Sequence, residues 1–422
     1  MKKTIKFAGE NPDDMNYPIG IQTFEKIRTN DFAYVDKTAF VYKLASQGKC
    51  YFLSRPRRFG KSLLLSTLKS YFQGNKEVFE GLAISKLEKE WKKYPVLHLD
   101  LSAEQYNTKE ALVARLNTHL ERWEKQYCIG NYVSLSPAAR FERVLRESAK
   151  QSPEGKVVIL IDEYDKPLLE AIGKPELQEE YRQILKAFYS NIKSCDEYIR
   201  FAMLTGVTKF SHLSVFSGLN NLIDISMLPQ YAEICGFSEA ELHENFDESV
   251  AEVAAANGIT KEQCYERLKQ EYDGYHFCAG SVGMYNPFSL LNVLSFGVFR
   301  HYWFATGTPN FLVEVIKHCD HALDRLSTEP KTAEDLDAID TMFSDPIPLF
   351  FQSGYLTIKG YDAHLEAYQL GFHNCSLPPR SILFMAMTYT RPSALSPTKT
   401  IYNRMVYKML VKNPNISEHS FS

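Results

Sequence analysis

Five short apolar runs, separated by stretches with a helical period, dominate the first half of the chain. The runs lie at 51–53, 94–102, 157–161, 199–204 and 222–225. The run at 157–161 contains only aliphatic residues, so it predicts a central strand that is buried on both faces. Strands that alternate with helices in this way predict an α/β fold with a wound parallel sheet of about five strands.

One sequence after the first apolar run is suited to bind phosphate. Gly60-Lys61-Ser62 follows the run at 51–53 and precedes a stretch with helical spacing. A helix that begins here directs its N–H groups and the positive end of its dipole toward a phosphate. Gly60 lets the backbone approach closely, Lys61 can reach the β- and γ-phosphates, and Ser62 can supply a hydroxyl to Mg²⁺.

The phosphate-binding pattern G-x-x-x-x-G-K-[ST] is not complete in this chain. It requires glycine at position 55, where this sequence has Arg55. Together with Arg57 and Arg58, Arg55 is expected to place three guanidinium groups beside the phosphate site. Because a short pattern with one mismatch is a weak signal, a basic surface loop before a helix is the alternative interpretation.

Paired carboxylates follow the aliphatic run at 157–161. Asp162 would lie at the carboxyl end of a central strand, where open α/β sheets bind ligands, and it can hold Mg²⁺. Glu163 can orient and deprotonate an attacking water. The alternative is a buried strand that ends in a solvated acidic turn. The Gly60-Lys61-Ser62 sequence about one hundred residues upstream favours the nucleotide interpretation.

A small polar residue ends the fourth apolar run. Thr205 follows the run at 199–204, so it would share an edge of the sheet with Asp162. It can sense the γ-phosphate or the attacking water. Capping of the strand end is an equally good interpretation of this threonine.

Composition narrows the class of protein. The chain has 422 residues, of which 45% are apolar, and a net charge of −3, so global disorder is excluded and no basic excess points to nucleic acid. None of its eight cysteines forms a C-x-x-C motif with another, which is typical of thiols in a reducing compartment.

The cluster His318-Cys319-x-His321 would not share one helical face, which disfavours a metal site. Without a signal peptide or an apolar run of about 18 residues, a soluble, cytoplasmic protein without membrane contact is expected.

Several short motifs are spread over residues 17–373. They are Arg55-Pro-Arg-Arg-Phe-Gly-Lys-Ser62, Asp162-Glu-Tyr-Asp165, Phe216-Ser-Gly-Leu-Asn-Asn221, Tyr272-Asp-Gly-Tyr-His276, Tyr285-Asn-Pro287, Trp303-Phe-Ala-Thr-Gly307 and Gln352-Ser-Gly-Tyr-Leu356. Together they resemble the bacterial AAA-ATPase-like proteins that carry a C-terminal PD-(D/E)XK nuclease-like domain. The arginine-rich loop without its first glycine is itself a mark of that family.

The resemblance implies a P-loop ATPase core with an extra strand between the loop strand and the acidic strand. It also implies a helical region and a winged-helix-like region after the core. The expected organisation is a loose segment (1–16), an AAA-like ATPase core (17–228), a helical lid-like region (229–309), a winged-helix-like region (310–374) and an atypical tail (375–422).

The tail departs from the family pattern. Residues 375–422 contain one acidic residue, Glu418, whereas metal-assisted phosphodiester cleavage needs at least two carboxylates. We therefore expect no nuclease activity, and we interpret the tail as the product of a frameshift or a truncated gene. A natural short variant is the alternative.

These observations predict an ATP-binding protein that hydrolyses ATP with Mg²⁺ and acts as a molecular switch or motor. The predicted catalytic residues are Glu163, Lys61, Thr205 and Arg58. The predicted nucleotide contacts are Arg57, Phe59, Gly60, Lys61, Ser62 and Leu63, and the predicted metal ligands are Ser62 and Asp162. A neighbouring subunit in a homo-oligomer could supply the arginine instead, and Arg57 and Arg58 could pair with Asp165.

Two other functions stay open at this point. The first is a nucleotide-gated DNA-binding module with little turnover, in which the winged-helix-like region contacts DNA. Its discriminating feature would be a basic helix, whereas residues 310–345 are acidic. The second is an interaction scaffold stabilised by nucleotide. A scaffold would not need a water-activating acid, so Glu163 argues against it.

Overall fold

A parallel sheet of five strands forms the centre of the structure, which is a computed structural model that describes residues 15–130, 133–210, 221–305, 330–337, 339 and 345–372. The strands are β1 (Cys50–Ser54), β2 (Val96–Asp100), β3 (Val157–Asp162), β4 (Ile199–Gly206) and β5 (Ile223–Asp224). Their order is β2-β3-β4-β1-β5, and every pair is parallel. The predicted α/β fold is confirmed, and β4 is the extra strand between the loop strand and the acidic strand.

Helices connect and cover these strands. Those in the described ranges are Phe24–Thr29, Thr38–Gln47, Lys61–Phe72, Ala83–Leu87, Lys109–Gln126, Pro137–Ala149, Lys166–Glu170, Pro175–Tyr189, Asn191–Ser194, Glu239–Asn257, Lys261–Tyr272, Pro287–Phe296, Tyr302–Ala305, Ala333–Asp337 and Ile347–Gln352. Short 3-10 helices lie at Lys76–Phe79, Asp196–Tyr198 and Pro229–Tyr231. None of them combines the length and the apolar character that a membrane crossing requires.

The core explains why β3 is apolar up to its last residue, Asp162. All six of its residues are buried. Val158 and Leu160 pack in the cluster that contains Leu65 and Leu68 of helix Lys61–Phe72. Because side chains alternate along a strand, the residues between them are buried on the opposite face of the sheet. Helices on both faces therefore hold the end of β3, and with it Asp162, in one place.

A second group of helices follows β5. Glu239–Asn257 packs against Lys261–Tyr272, and Ser238 and Glu241 form a capping box at the start of the first of these helices. Next to them, the antiparallel strands β6 (Phe237–Ser238) and β7 (Met284–Tyr285) form a two-stranded ribbon. This group shares a core with Ala33 and Val35 from the N-terminal part of the chain.

A second, antiparallel sheet lies near the end of the described chain. It consists of β8 (Lys331–Thr332), β9 (Leu356–Asp362) and β10 (Ala367–Phe372), in the order β8-β10-β9. Helix Ile347–Gln352 precedes β9. The domain boundaries and the winged-helix-like character of this region stay predictions.

Several expectations fall on residues outside the described ranges. They concern the loose segment through residue 14, the cluster of His318, Cys319 and His321, and the tail from residue 375. The absence of nuclease activity therefore stays a prediction.

Candidate nucleotide-binding site

The loop between β1 and helix Lys61–Phe72 has its left-handed residues at two positions. Gly60 caps the helix with a φ of +97°, and Arg58 has a φ of +66°. No left-handed conformation occurs at Arg55, so the loop does not need a glycine there. This backbone explains how the loop forms although the first glycine of the pattern is missing. The helix N-terminus remains open toward the cavity described below.

Lys61 connects the loop to the acidic strand. Its side chain is only 3% exposed, and its Nζ donates to the carbonyl oxygens of Arg55 (2.9 Å) and Pro56 (3.1 Å). The same Nζ lies 3.9 Å from Oε1 of Glu163. An ammonium has three N–H donors, so two are held by the loop and one remains for a ligand beside Glu163.

Asp162 ends β3 as a buried carboxylate. Its Oδ1 accepts a hydrogen bond from the Thr205 hydroxyl (2.8 Å) and one from the Glu163 N–H (3.1 Å). Burial raises the pKa of Asp162, and the hydroxyls of Ser62 and Thr205 oppose that rise. The structure thus brings Ser62, Asp162 and Thr205 together, as expected for strand ends that share one edge of a sheet.

Glu163 adopts a backbone conformation that non-glycine residues rarely use. Its φ is +53°, and its side chain is 21% exposed at the cavity. Left-handed conformations of such residues cost about 1–2 kcal/mol and cluster at functional sites. The fold therefore holds this carboxylate in a strained position beside Lys61.

Asp165 is fully buried and accepts hydrogen bonds from the residues that follow β4. Its Oδ2 accepts hydrogen bonds from the Val207 N–H (3.0 Å), the Thr208 N–H (2.6 Å) and the Thr208 hydroxyl (2.6 Å). Burial, together with the Glu163 charge, raises the pKa of Asp165 to about 6.

The side chain of Arg58 is exposed and lies 5.1 Å from the ring of Phe288. The suggested pairing of Arg58 with Asp165 is thus not what the structure shows.

The expectation for Arg55 was wrong. Its side chain is 1% exposed and points into the core, where it donates to main-chain carbonyls, so it does not lie beside the phosphate site. Phe59 is also buried, with its ring edge-on to Tyr275 and Phe277. The Phe59 carbonyl accepts a hydrogen bond from the Gly236 N–H (3.2 Å), so neither the ring nor the carbonyl of Phe59 is directed to a ligand.

A cavity of about 1110 Å³ opens beside the helix N-terminus. All six predicted nucleotide contacts border it, together with Arg58 and Glu163. Apolar side chains from distant segments line another part of it and are called its apolar wall: Ile19, Ile21, Val35, Ile234, Phe288 and Leu291. Sequence reasoning missed this wall, because isolated apolar residues carry no sign of ligand contact.

Comparisons with known proteins agree with this geometry. Residues 18–216 match the model of the AAA-ATPase-like family, described as predicted AAA-ATPase. An uncharacterised protein from the vnfD 5′ region of Azotobacter chroococcum mcd 1 is 40% identical over 342 residues. The match covers 81% of this chain and 64% of that protein, so the chain spans less than two thirds of its relative's length.

Among solved structures, the ORC1 protein of Aeropyrum pernix in complex with DNA is 9% identical, with coverage of 92% of this chain and 97% of that chain. Its TM-score of 0.31 is too low to support an argument about function. The association with a nuclease-like domain stays a prediction. The phosphate loop, the acidic strand and Thr205 all lie within residues 18–216, the segment that is similar to the AAA-ATPase-like family of predicted ATPases.

Proposed function

We propose that this chain binds ATP with Mg²⁺ and hydrolyses it to ADP and phosphate, and that the cycle operates a molecular switch or motor. The observation that carries the proposal is the meeting of Lys61 and Glu163, 3.9 Å apart, at the N-terminus of helix Lys61–Phe72. A phosphate-binding cation and a water-activating acid at one helix N-terminus are the parts that phosphoryl transfer to water requires.

Binding of the phosphates follows from the loop. The N–H groups at the start of helix Lys61–Phe72 and the third N–H of Lys61 can donate to phosphate oxygens. The apolar wall around Ile19, Val35 and Phe288 is suited to a planar base. The cavity thus combines polar groups for phosphates with apolar side chains for a nucleoside.

The residues present fit a magnesium ion. Ser62 and Asp162 offer hydroxyl and carboxylate oxygens, the hard ligands that Mg²⁺ prefers in combination with substrate phosphates. Burial disfavours the charged form of Asp162, and a divalent cation would offset that penalty. When bound there, Mg²⁺ would neutralise charge that develops on the phosphates. Thr205 donates to Oδ1 of Asp162 and so orients this ligand.

Hydrolysis would use Glu163 as the general base. Its carboxylate orients a water molecule, accepts a proton from it as the oxygen attacks the γ-phosphorus, and the bond to the β-phosphate oxygen breaks. ADP leaves, and the proton passes from Glu163 to phosphate. Arg58 borders the cavity and can stabilise charge on the transferred group; the alternative source is a neighbouring subunit.

The test measures ATP binding and phosphate release separately. Lys61→Ala should weaken binding by roughly a hundredfold, whereas Glu163→Gln should bind like the wild type and lose at least about a hundredfold in turnover. Lys69→Ala, on the same helix but away from the cavity, is the matched control. Tight ATP binding by the wild type without turnover, with and without double-stranded DNA, would contradict hydrolysis and favour the nucleotide-gated binding module.

A further inference from the structure

We propose that Arg55, which stands where the phosphate-loop pattern has glycine, is a positioning residue that holds the carbonyl acceptors of Lys61 in place. The proposal rests on the proposed function, since the Lys61 ammonium matters only if the loop binds phosphate. It concerns the side chain of Arg55, which does not reach the cavity, and its effect on the main chain.

The Arg55 guanidinium is anchored on three sides. Its Nη1 donates to the carbonyl oxygens of Ser54 (3.0 Å) and Ser226 (2.7 Å), and its Nη2 donates to that of Tyr231 (3.1 Å). Its Cζ lies 3.9 Å from the centre of the Phe277 ring. These contacts tie the loop to the segment after β5 and to the turn after helix Lys261–Tyr272.

The main-chain carbonyl of Arg55 accepts a hydrogen bond from Lys61. The Arg55 N–H donates to the carbonyl of Gly206 at the end of β4 (3.2 Å), and its own carbonyl accepts from Lys61 Nζ (2.9 Å). The next carbonyl, that of Pro56, accepts from the same Nζ (3.1 Å). Rotation of the Arg55–Pro56 peptide would therefore move the Arg55 carbonyl, one of the two acceptors of Lys61, and the buried side chain opposes that rotation.

The loop also packs at Pro56 against the turn that contains Gly354. Gly354 has a φ of +89°, and a Cβ at this position would lie 2.7 Å from Cβ of Pro56. The turn at Gly354 therefore packs directly on the peptide that Arg55 anchors. With Arg55 on one side and Gly354 on the other, the two carbonyls have little freedom to turn away from Lys61.

Burial of this arginine is unfavourable in itself. Desolvation lowers the pKa of Arg55 to about 10, so the group stays charged at neutral pH and needs its carbonyl and ring partners. A buried arginine could nevertheless serve stability alone. Arg140 shows that case: it is also 1% exposed, and it pairs with Glu124 and Asn117 on helices that lie away from the loop.

The experiment compares these two arginines by titration with a fluorescent ATP analogue and by thermal unfolding. Arg55→Lys should raise the Kd for the analogue at least about tenfold, because lysine cannot donate to three carbonyls in one plane and Lys61 loses its fixed position. Arg140→Lys should lower the Tm at least as much and leave the Kd within about twofold of wild type. Phe277→Leu, which keeps the three hydrogen bonds, should raise the Kd by roughly two- to fivefold.

Each outcome decides one question. Arg55→Lys with a wild-type Kd would overturn the positioning role and leave the proposed function intact. An equal rise of the Kd in Arg140→Lys would show that lost stability explains the effect, and would also overturn it. A wild-type protein that binds no nucleotide would overturn both proposals. If Arg55→Lys does not fold, Phe277→Leu decides by the same comparison with Arg140→Lys.

Discussion

Lys61 Nζ and Glu163 Oε1 lie 3.9 Å apart, although their residues follow strands that are not neighbours in the sheet. β4 lies between β1, which leads to Lys61, and β3, which leads to Glu163. The two charges meet because the loop after β1 and the turn after β3 both bend over the end of β4. The closest contacts of Asp162 and Asp165, to Thr205 and Thr208, come from that same strand end.

The ion pair should matter for function and little for stability. At 3.9 Å, with Glu163 partly exposed, its coupling should be below about 1 kcal/mol, so Glu163→Gln should unfold in urea within about 1 kcal/mol of wild type. Lys61→Met leaves two buried carbonyls without a donor and should cost roughly 1–3 kcal/mol. A loss of more than about 2 kcal/mol in Glu163→Gln would contradict this prediction.

Thr205→Val should impair the use of Mg²⁺ before it impairs folding. The substitution keeps the shape of the side chain and removes the hydroxyl that donates to Asp162. Loss of such an orienting partner typically reduces metal affinity or activity about 10- to 100-fold. The measurement is the Mg²⁺ concentration at half-maximal ATPase activity. Thr205→Ser keeps the hydroxyl and serves as the control; if valine and serine behave alike, Thr205 only caps the strand.

Two substitutions at Arg58 separate the role of its guanidinium from that of its backbone. Arg58→Ala keeps a side chain at a φ of +66°, whereas Arg58→Gly relieves about 1 kcal/mol of conformational strain. If the guanidinium stabilises the transition state, both variants should lose at least about a hundredfold in kcat. Retained turnover in Arg58→Gly would show that another arginine stabilises the transition state. Mixing the Arg58→Gly protein with the hydrolysis-deficient Glu163→Gln protein would then test whether a neighbouring subunit supplies that arginine.

Asp165 should make stability depend on pH in the weakly acidic range. Its pKa is raised from 3.8 to about 6, so the folded state binds the proton more tightly than the unfolded chain does. The contribution of this group to stability is complete below about pH 4 and is lost as the pH rises through 6.

Asp165→Asn tests this directly. Its amide oxygen can still accept from Val207 and Thr208, while the group no longer titrates. Urea unfolding of both proteins from pH 4.5 to 7.5 isolates the effect, since all other groups titrate in both. The wild type should lose stability relative to Asp165→Asn as the pH rises. A constant difference over this range would mean that Asp165 does not change its charge there.

The sequence by itself determined the sheet and the residues that meet at its edge. Apolar runs and helical spacing are local properties, so the five strands could be predicted from 51–225. Because parallel strands end at the same edge of a sheet, Thr205 was expected to share that edge with Asp162, and its hydroxyl lies 2.8 Å from Asp162 Oδ1. That expectation needed only the strand ends and not the path of the chain between them.

Only the tertiary structure decided where Arg55 points. Its basic, polar character suggested a place beside the phosphates, yet its partners are Ser226, Tyr231 and Phe277, which fold behind the loop from far along the chain. The apolar wall of the cavity is equally non-local. The physical reason is the same in both cases: a side chain's environment is set by residues that pack against it across the fold, and local periodicity carries no information about those partners.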